Sequence, residues 1–537
     1  MWEKFVNHKS NTIMSAAVIL VAASVISKFL GFLRNALLAD KFGASRALDI
    51  YQASFKIPDL IYSILVFGAL SAGFIPVFVR YFERNREDAW KLASDTLNIL
   101  FVFFAALSGI LFLLAPTIMR FIVPGFNAAD THTAVVLTRI MLLQPIFLGL
   151  GSILGGVLQS LGKFLIYAFC SLFYNLGIIL GIIFLVPIWG IYGLGWGVVL
   201  GSVLYFILFL ITTMSAQFHY SVIFSFGITG IKRIMTLMVP RTLSLIITQI
   251  NTFIITILAS TLQAGSIAVF NFANDLQALP VGIFAVSLAT AAFPTLSLHS
   301  STSAERFTAT VHKTLRQILF LTIPLALLFF ALRAQIVRIT LGYGHFNWTD
   351  TLLTVNTLAA FCFGIIAEGI QQLLVRSFFA MEDSLSPFLS GLASVAVNLA
   401  LGIYFKSLFG VWGLALAFSI AVWVDVLVMF VIFYAKTKTR EWQSIIKFSV
   451  VVTLIGSFAA LCAHFSLYGM DMLVNTNKVL GIFVQLIVSS AIGVGIFFGL
   501  ALVTHIAEAH IFLRMIKRKF FARRLQPEVD DPTSFIQ

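Results

Sequence analysis

Residues 27–60 read SKFLGFLRNALLADKFGASRALDIYQASFKIPDL. The stretch is apolar over helix-length runs, yet it carries Lys28, Arg34, Asp49, Lys56 and Asp59 within those runs or at their ends. The run holding Lys28 and Arg34 begins near residue 13 and continues to about residue 39. That is longer than the apolar core of a signal peptide and long enough to cross a bilayer. Working outward, fourteen such runs follow one another at 13–39, 50–79, 92–116, 131–159, 164–188, 190–215, 234–262, 267–296, 309–332, 351–378, 386–405, 410–435, 445–468 and 479–504. The composition agrees, because 60% of the 537 residues are hydrophobic, 55 are Phe and only 11% are charged. A water-soluble enzyme is excluded, since soluble domains carry about twice that share of charge. The expected fold is an all-α polytopic membrane protein.

The net charge of +13 has a topological source. With the N-terminus inside, the cytoplasmic segments collect Arg80, Arg84, Arg86, Lys436, Lys438, Arg440 and the tail run Arg514, Lys517, Arg518, Lys519, Arg523 and Arg524. The opposite side holds Lys41, Arg46, Arg120, Arg333, Arg338, Lys406 and Lys478. This asymmetry follows the positive-inside rule and places both termini in the cytoplasm. The basic tail then lies against anionic membrane lipids, and nucleic acid is not expected as a partner.

Enzymatic motifs are missing. Cys170, Cys362 and Cys462 each sit inside an apolar run without CxxC spacing, and no His pair has zinc-ligand spacing on one helix. No Walker, GxSxG or GxGxxG element stands in a suitable context, so neither cofactor nor ATP hydrolysis is expected.

Internal symmetry is visible at an offset of about 219 residues. Ile50-Tyr51-Gln52-Ala53 leading to Gly73-Phe74-Ile75-Pro76 overlays Val269-Phe270-Asn271-Phe272 leading to Ala291-Ala292-Phe293-Pro294. Tyr174-Asn175-Leu176 and Val397-Asn398-Leu399 form a weaker echo. Parallel repeats of this kind are a common transporter plan. The expected organisation is a cytoplasmic N-terminus (1–12), a six-helix N-lobe (13–215), a linker (216–233), a six-helix C-lobe (234–435), two further helices (436–504) and a basic tail (505–537).

Ionisable residues inside the membrane are costly and therefore paired or functional. Ser27 and Arg34 are seven residues apart and share a helix face, while Lys28 lies on another. Gly31 between them admits a headgroup or a neighbouring helix to the backbone. Pro58 should kink the second span and bring Lys56 beside the Lys28/Arg34 helix as a cationic chamber. Such a chamber suits a phosphate-bearing headgroup. The second half instead offers Arg241, Asn274 and Asp275, a mainly hydrogen-bonding face. Glu368 and Asp425, with Asn398, are candidates for a coupling cation; carboxylate–arginine pairing is the alternative.

The block 27–60, followed by GALSAGFIPVF (68–78), resembles the N-terminal signature of the MurJ/MviN lipid II flippases. APTIMRFIVPGF (115–126), FANDLQALPVGIF with AAFPTLS (272–297) and LGYGHF (341–346) extend the resemblance. It implies fourteen helices in two lobes around a cationic cavity, and export by alternating access of the undecaprenyl-pyrophosphate-linked precursor in cell wall biogenesis. It also implies lipid II as substrate, cell-wall synthesis proteins as partners and the cytoplasmic membrane as location.

Residue by residue, the family's first-helix arginines fall on Lys28 and Arg34, with Ser27 matching, and its aspartate before the second helix on Asp49. Departures from the pattern are Asn35, where the family has an acid, and Tyr62, where it has an arginine. Where the family often has A-D-R-L-x-E, this chain has Ala273-Asn274-Asp275-Leu276-Gln277-Ala278. Two of four cavity cations are thereby replaced, and Arg241 or Lys56 is expected to compensate. The alternatives are a flippase for another polyprenyl-linked oligosaccharide, a drug/cation antiporter, or a membrane enzyme acting on polyprenyl phosphates.

Overall fold

The computed structural model describes residues 13–63, 74–222, 224, 249–438, 442–476 and 478–521. Among these residues the secondary structure is helical, without strands. Eleven helices are long and apolar enough to cross a membrane, from Arg86–Ile122 to Val479–Val503. They coincide one for one with the third to sixth and eighth to fourteenth apolar runs. The other three runs contain helices Ile13–Phe42, Lys56–Tyr62 with Ile75–Arg84, and Gln249–Ser260. The lipid-facing sides expose large apolar residues such as Leu113, Phe121, Val431 and Leu454.

Helix breaks fall where proline removes a backbone donor. The second run is interrupted at Phe55, between Arg46–Ser54 and Lys56–Tyr62. Pro58 there leaves the Ser54 carbonyl without its helical partner, which is the expected kink. The fourth run breaks at Leu142 and Leu143, with Pro145 opening the helix Gln144–Ser160. Wider π-type turns occupy Gly181–Leu185 and Val281–Ala285, beside Pro187 and Pro280.

The duplication recurs in the elements themselves. Helices starting at Arg86, Ala128, Phe164 and Ile191 are matched by helices starting at Ala304, Trp348, Leu385 and Val411. The caps recur too. Asn127 accepts from the Asp130 N–H at 2.8 Å, and Asn347 accepts from the Asp350 N–H at 2.9 Å. Gly190 and Gly410 end equivalent helices with φ of 57° and 62°.

The chain divides into two compact units. One contains the chain up to Leu276 with Val337–Phe361 and Ser384–Met429; the other contains Gln277–Ile336, Cys362–Asp383 and the chain from Phe430. In the first unit, helices Phe164–Leu180 and Ile191–Met214 cross on bare backbone. A Cβ on Gly177 would strike Gly201, and one on Gly181 would strike Gly197. Small residues four apart allow such close approach, which dispersion contacts then stabilise in lipid. In the second unit, helices Trp442–Asp471 and Val479–Val503 pair through Ser466–Ser489 at 2.8 Å and Gln485 to the Leu467 carbonyl at 3.0 Å. Arg316 binds Glu508 at 2.7 Å, tying the last helix, Ala507–Phe521, to the same unit.

Candidate functional site: a charged network and a capped helix

Ser27 and Arg34 share a face of helix Ile13–Phe42, as their spacing predicts, and both reach Asn175. The Asn175 amide donates to Ser27 Oγ at 3.4 Å, and Arg34 Nη1 donates to Asn175 Oδ1 at 3.3 Å. Arg34 Nε and Nη2 both donate to Asn35 Oδ1, at 3.2 and 3.1 Å. The Asn35 amide nitrogen then donates to Asp275 Oδ2 at 2.8 Å. Asn35 is therefore a relay, accepting from the cation and donating to the carboxylate. A carboxylate at position 35 could serve Arg34 but would repel Asp275.

Lys56 completes the group from the kinked helix. It lines a cavity of about 200 Å³ with Asn251, Thr252, Asn271, Asn274 and Phe418 among its walls. Asp59 and Asp275 act on it as nearby opposite charges. Asp59 also accepts from Gln144 Nε2 at 3.4 Å. Asn251 in the cavity wall accepts from the Asn398 amide, which assigns Asn398 a polar partner. Tyr62 joins the hydroxyls of Ser152 and Tyr205. The arrangement thus contains two cations, two carboxylates and a set of amides, which can solvate an anionic headgroup together with neutral sugar-like groups.

Other sequence candidates stand apart. Lys28 is exposed and has no polar partner among the described residues. Gly31 presents an open helix face, with nothing near the position of an added Cβ. Arg241 lies outside the described residues. Glu368 accepts from Gln277 Nε2 at 2.9 Å in the second unit, and Asp425 is buried in the first.

Asp49 does not join the network. It is buried at the N-terminus of helix Ser266–Pro280, where it accepts from the backbone N–H of Gly265 at 2.7 Å and of Ala268 at 2.9 Å. A carboxylate there satisfies donors that the helix leaves unpaired and complements its dipole. Ala268 is 219 residues from Asp49, the offset of the repeat, so equivalent points of the two repeats meet here. Arg46 lies 3.7 Å from both Asp49 and Asp130 and stacks over Phe126.

Neighbouring loops interlock around this cap. The Ala44 N–H donates to Asp350, the His345 N–H to the Asp40 carbonyl, and the Gly125 N–H to Ser260. Gly265 at φ 91° and Gly344 at φ 53° combine positive φ with backbone contact too close for a side chain. Asp49 is legible in the sequence as an acid at the entrance of the second run; its capping role is not, and the physical signal for that is an acid one repeat length before the start of a helix.

A duplicated helical protein with a cation-bearing polar cavity within its membrane helices is a transporter rather than an enzyme. Its fold is shared with an inward-facing multidrug resistance MATE family transporter of the MOP superfamily, at TM-score 0.67 and 14% identity over 79% of this chain and 98% of that one.

The family is specific: the family model for the lipid II flippase MurJ matches residues 38–489, and the chain belongs to that family. It is similar to the "Lipid II flippase MurJ" of Burkholderia cenocepacia, 26% identical over 76% of this chain and 81% of the relative. A Rhizobium tropici relative described as "Probable lipid II flippase MurJ" is 28% identical over 78% and 81%. The solved structure titled "Lipid II flippase MurJ, inward closed conformation" aligns at TM-score 0.73 and 26% identity, covering 94% of this chain and all of that one.

Proposed function

We infer that the protein is a lipid II flippase, carrying the polyprenyl-pyrophosphate-linked precursor from the inner to the outer leaflet by alternating access. The observation that carries this reading is the family match over 38–489 together with Arg34 and Lys56 in a polar, membrane-embedded site. Each cation has a carboxylate within its surroundings, as buried charge requires. A pyrophosphate entering the site takes over the role of Asp275 and Asp59 as counter-charge. Arg34 suits this exchange because three N–H groups fix its plane and the remaining ones, without a partner among the described residues, can bind phosphate oxygens.

The Asp49 cap and the interlocked loops close one end of the path, and release of that end is the second half of the cycle. With the positive-inside orientation this is the outer end, both termini are cytoplasmic, and the membrane is the cytoplasmic one. The N-lobe (13–215) and C-lobe (234–435) are the halves that rock, with 436–504 as an addition outside the repeat. Its partners in this reading are lipid II, membrane lipids and cell-wall synthesis proteins.

The test is complementation of a strain depleted of its own lipid II flippase. Growth restored by the intact chain, and not by Arg34→Ala at equal membrane level, supports the reading. No growth from a well-inserted intact chain counts against it.

A further inference from the structure

Arg139 lies eleven residues into helix Ala128–Met141 and faces helix Arg86–Ile122. Its Nε donates to the Phe112 carbonyl at 3.0 Å, and its guanidinium sits 4.6 Å over the Phe112 ring. That carbonyl is free because Pro116, four residues on, has no N–H to bond it. Among the described residues the Nη atoms have no partner, and no carboxylate lies within ion-pair distance of Arg139.

The guanidinium borders a groove of about 620 Å³ whose walls are apolar apart from Ser108, within the usual size range of ligand sites. Phe112, Leu143 and Trp196 line it and are exposed at 44%, 38% and 40%. The helix break at Leu142 and Leu143 opens one wall. Gly109 opens the other, since an added Cβ there would meet nothing within 4 Å. Ser108 lines the groove too, is 6% exposed, and its hydroxyl has no partner among the described residues. One helical turn separates Ser108 from Phe112, so the hydroxyl and the guanidinium serve the same stretch of groove.

We propose that this groove is a binding site for an anionic phospholipid, with an acyl chain along the apolar walls and the phosphate–ester region on Arg139 and Ser108. Two donors without acceptors select an acceptor-rich group. The cation without a counter-charge selects an anionic lipid over a zwitterionic one. Apolar walls exposed to hydrocarbon select a lipid over a soluble anion. An embedded arginine draws headgroups inward by local thinning of the bilayer, which brings the phosphate within reach.

The experiment is native mass spectrometry of the full chain in detergent with equimolar dioleoyl phosphatidylglycerol and dioleoyl phosphatidylcholine. The intact chain should retain one phosphatidylglycerol about tenfold in preference to phosphatidylcholine, as one charge-assisted contact allows. Arg139→Gln keeps a donor for the Phe112 carbonyl but removes the charge, and should bring that preference close to one. Gly109→Leu keeps the charge but fills the groove, and should lose the same retained lipid. Equal retention of both lipids by the intact chain overturns the proposal. So does a phosphatidylglycerol preference unchanged in both variants.

Discussion

The amide nitrogen of Asn35 donates to Asp275 Oδ2 at 2.8 Å, while its oxygen accepts from two nitrogens of Arg34. Two departures from the family pattern therefore meet in one contact. Where the resemblance implies an acid and an arginine, this chain has an amide and an acid. Replacing one partner alone would leave a mismatched pair.

The pairing predicts a charge-exchange rescue. Asn35→Asp should set two carboxylates against each other and strongly reduce transport. Adding Asp275→Arg restores opposite charges and should recover most of it, with a coupling of about 0.5–3 kcal/mol. Arg34→Ala removes the cation that the relay serves, at about 3–5 kcal/mol for a broken buried pair, or two to four decades in affinity. Arg34→Lys should retain part of the activity, because a point charge replaces a fork. Complementation with immunoblotting of membrane levels measures all four. Full activity of Asn35→Asp would remove the relay from the account.

Asp49 should act through closure rather than through substrate affinity. Asp49→Ala leaves the Gly265 and Ala268 N–H groups without acceptors, at about 1–3 kcal/mol each if they stay buried. The capped end should open more often. Thr349→Cys, in a background lacking the three native cysteines, should then label faster from outside intact cells in the Asp49→Ala variant. Ser301→Cys should resist external labelling in both. External labelling of Ser301→Cys would contradict the assigned orientation.

The glycine crossing is a stability prediction. A side chain on Gly181 must displace the backbone at Gly197, and overpacking of this kind costs about 1–3 kcal/mol. Gly181→Leu should lower the thermal midpoint of the purified protein and its membrane level. Gly31→Ala, on an open face, should change neither. An unchanged midpoint for Gly181→Leu would mean that the two helices do not pack on these glycines.

Transport of a pyrophosphate should respond to membrane potential. An outward-moving charge gains about 2.3 kcal/mol per 100 mV when the interior is negative, so a headgroup with about two charges gains roughly 4–5 kcal/mol. Collapsing the potential while ion gradients are kept should slow flipping sharply. Undiminished flipping would shift attention to ion coupling, with Glu368, Asp425 and Asn398 the residues to test.

Much of the helix plan was legible because a membrane span is written in composition. Eleven apolar runs return as helices, several of them extending beyond the run, as at Ala304–Leu341 and Arg86–Ile122, and the Pro58 kink falls where a missing N–H requires it. The Ser27–Arg34 face was legible from helical periodicity. The partners of that face were not, because Asn175 and Asp275 come from distant helices and periodicity carries no tertiary register. Lys28 illustrates the limit: depth in an apolar run marks it as unusual, but only the fold shows that it stays outside the Arg34 network. The Gly177/Gly181 and Gly197/Gly201 spacing was readable as a small-residue motif, although which helices it joins was not. Arg139 stood inside the fourth run, yet its link to Pro116 passes through a backbone carbonyl that no side-chain pattern displays.

The central claim is the substrate. Purified protein in liposomes with an inside-negative potential should translocate lipid II faster than a polyprenyl-pyrophosphate bearing an unrelated sugar, and Arg34→Ala liposomes should fall to the protein-free rate. Equal or faster movement of the unrelated lipid, or lipid II movement that Arg34→Ala leaves intact, would contradict the account.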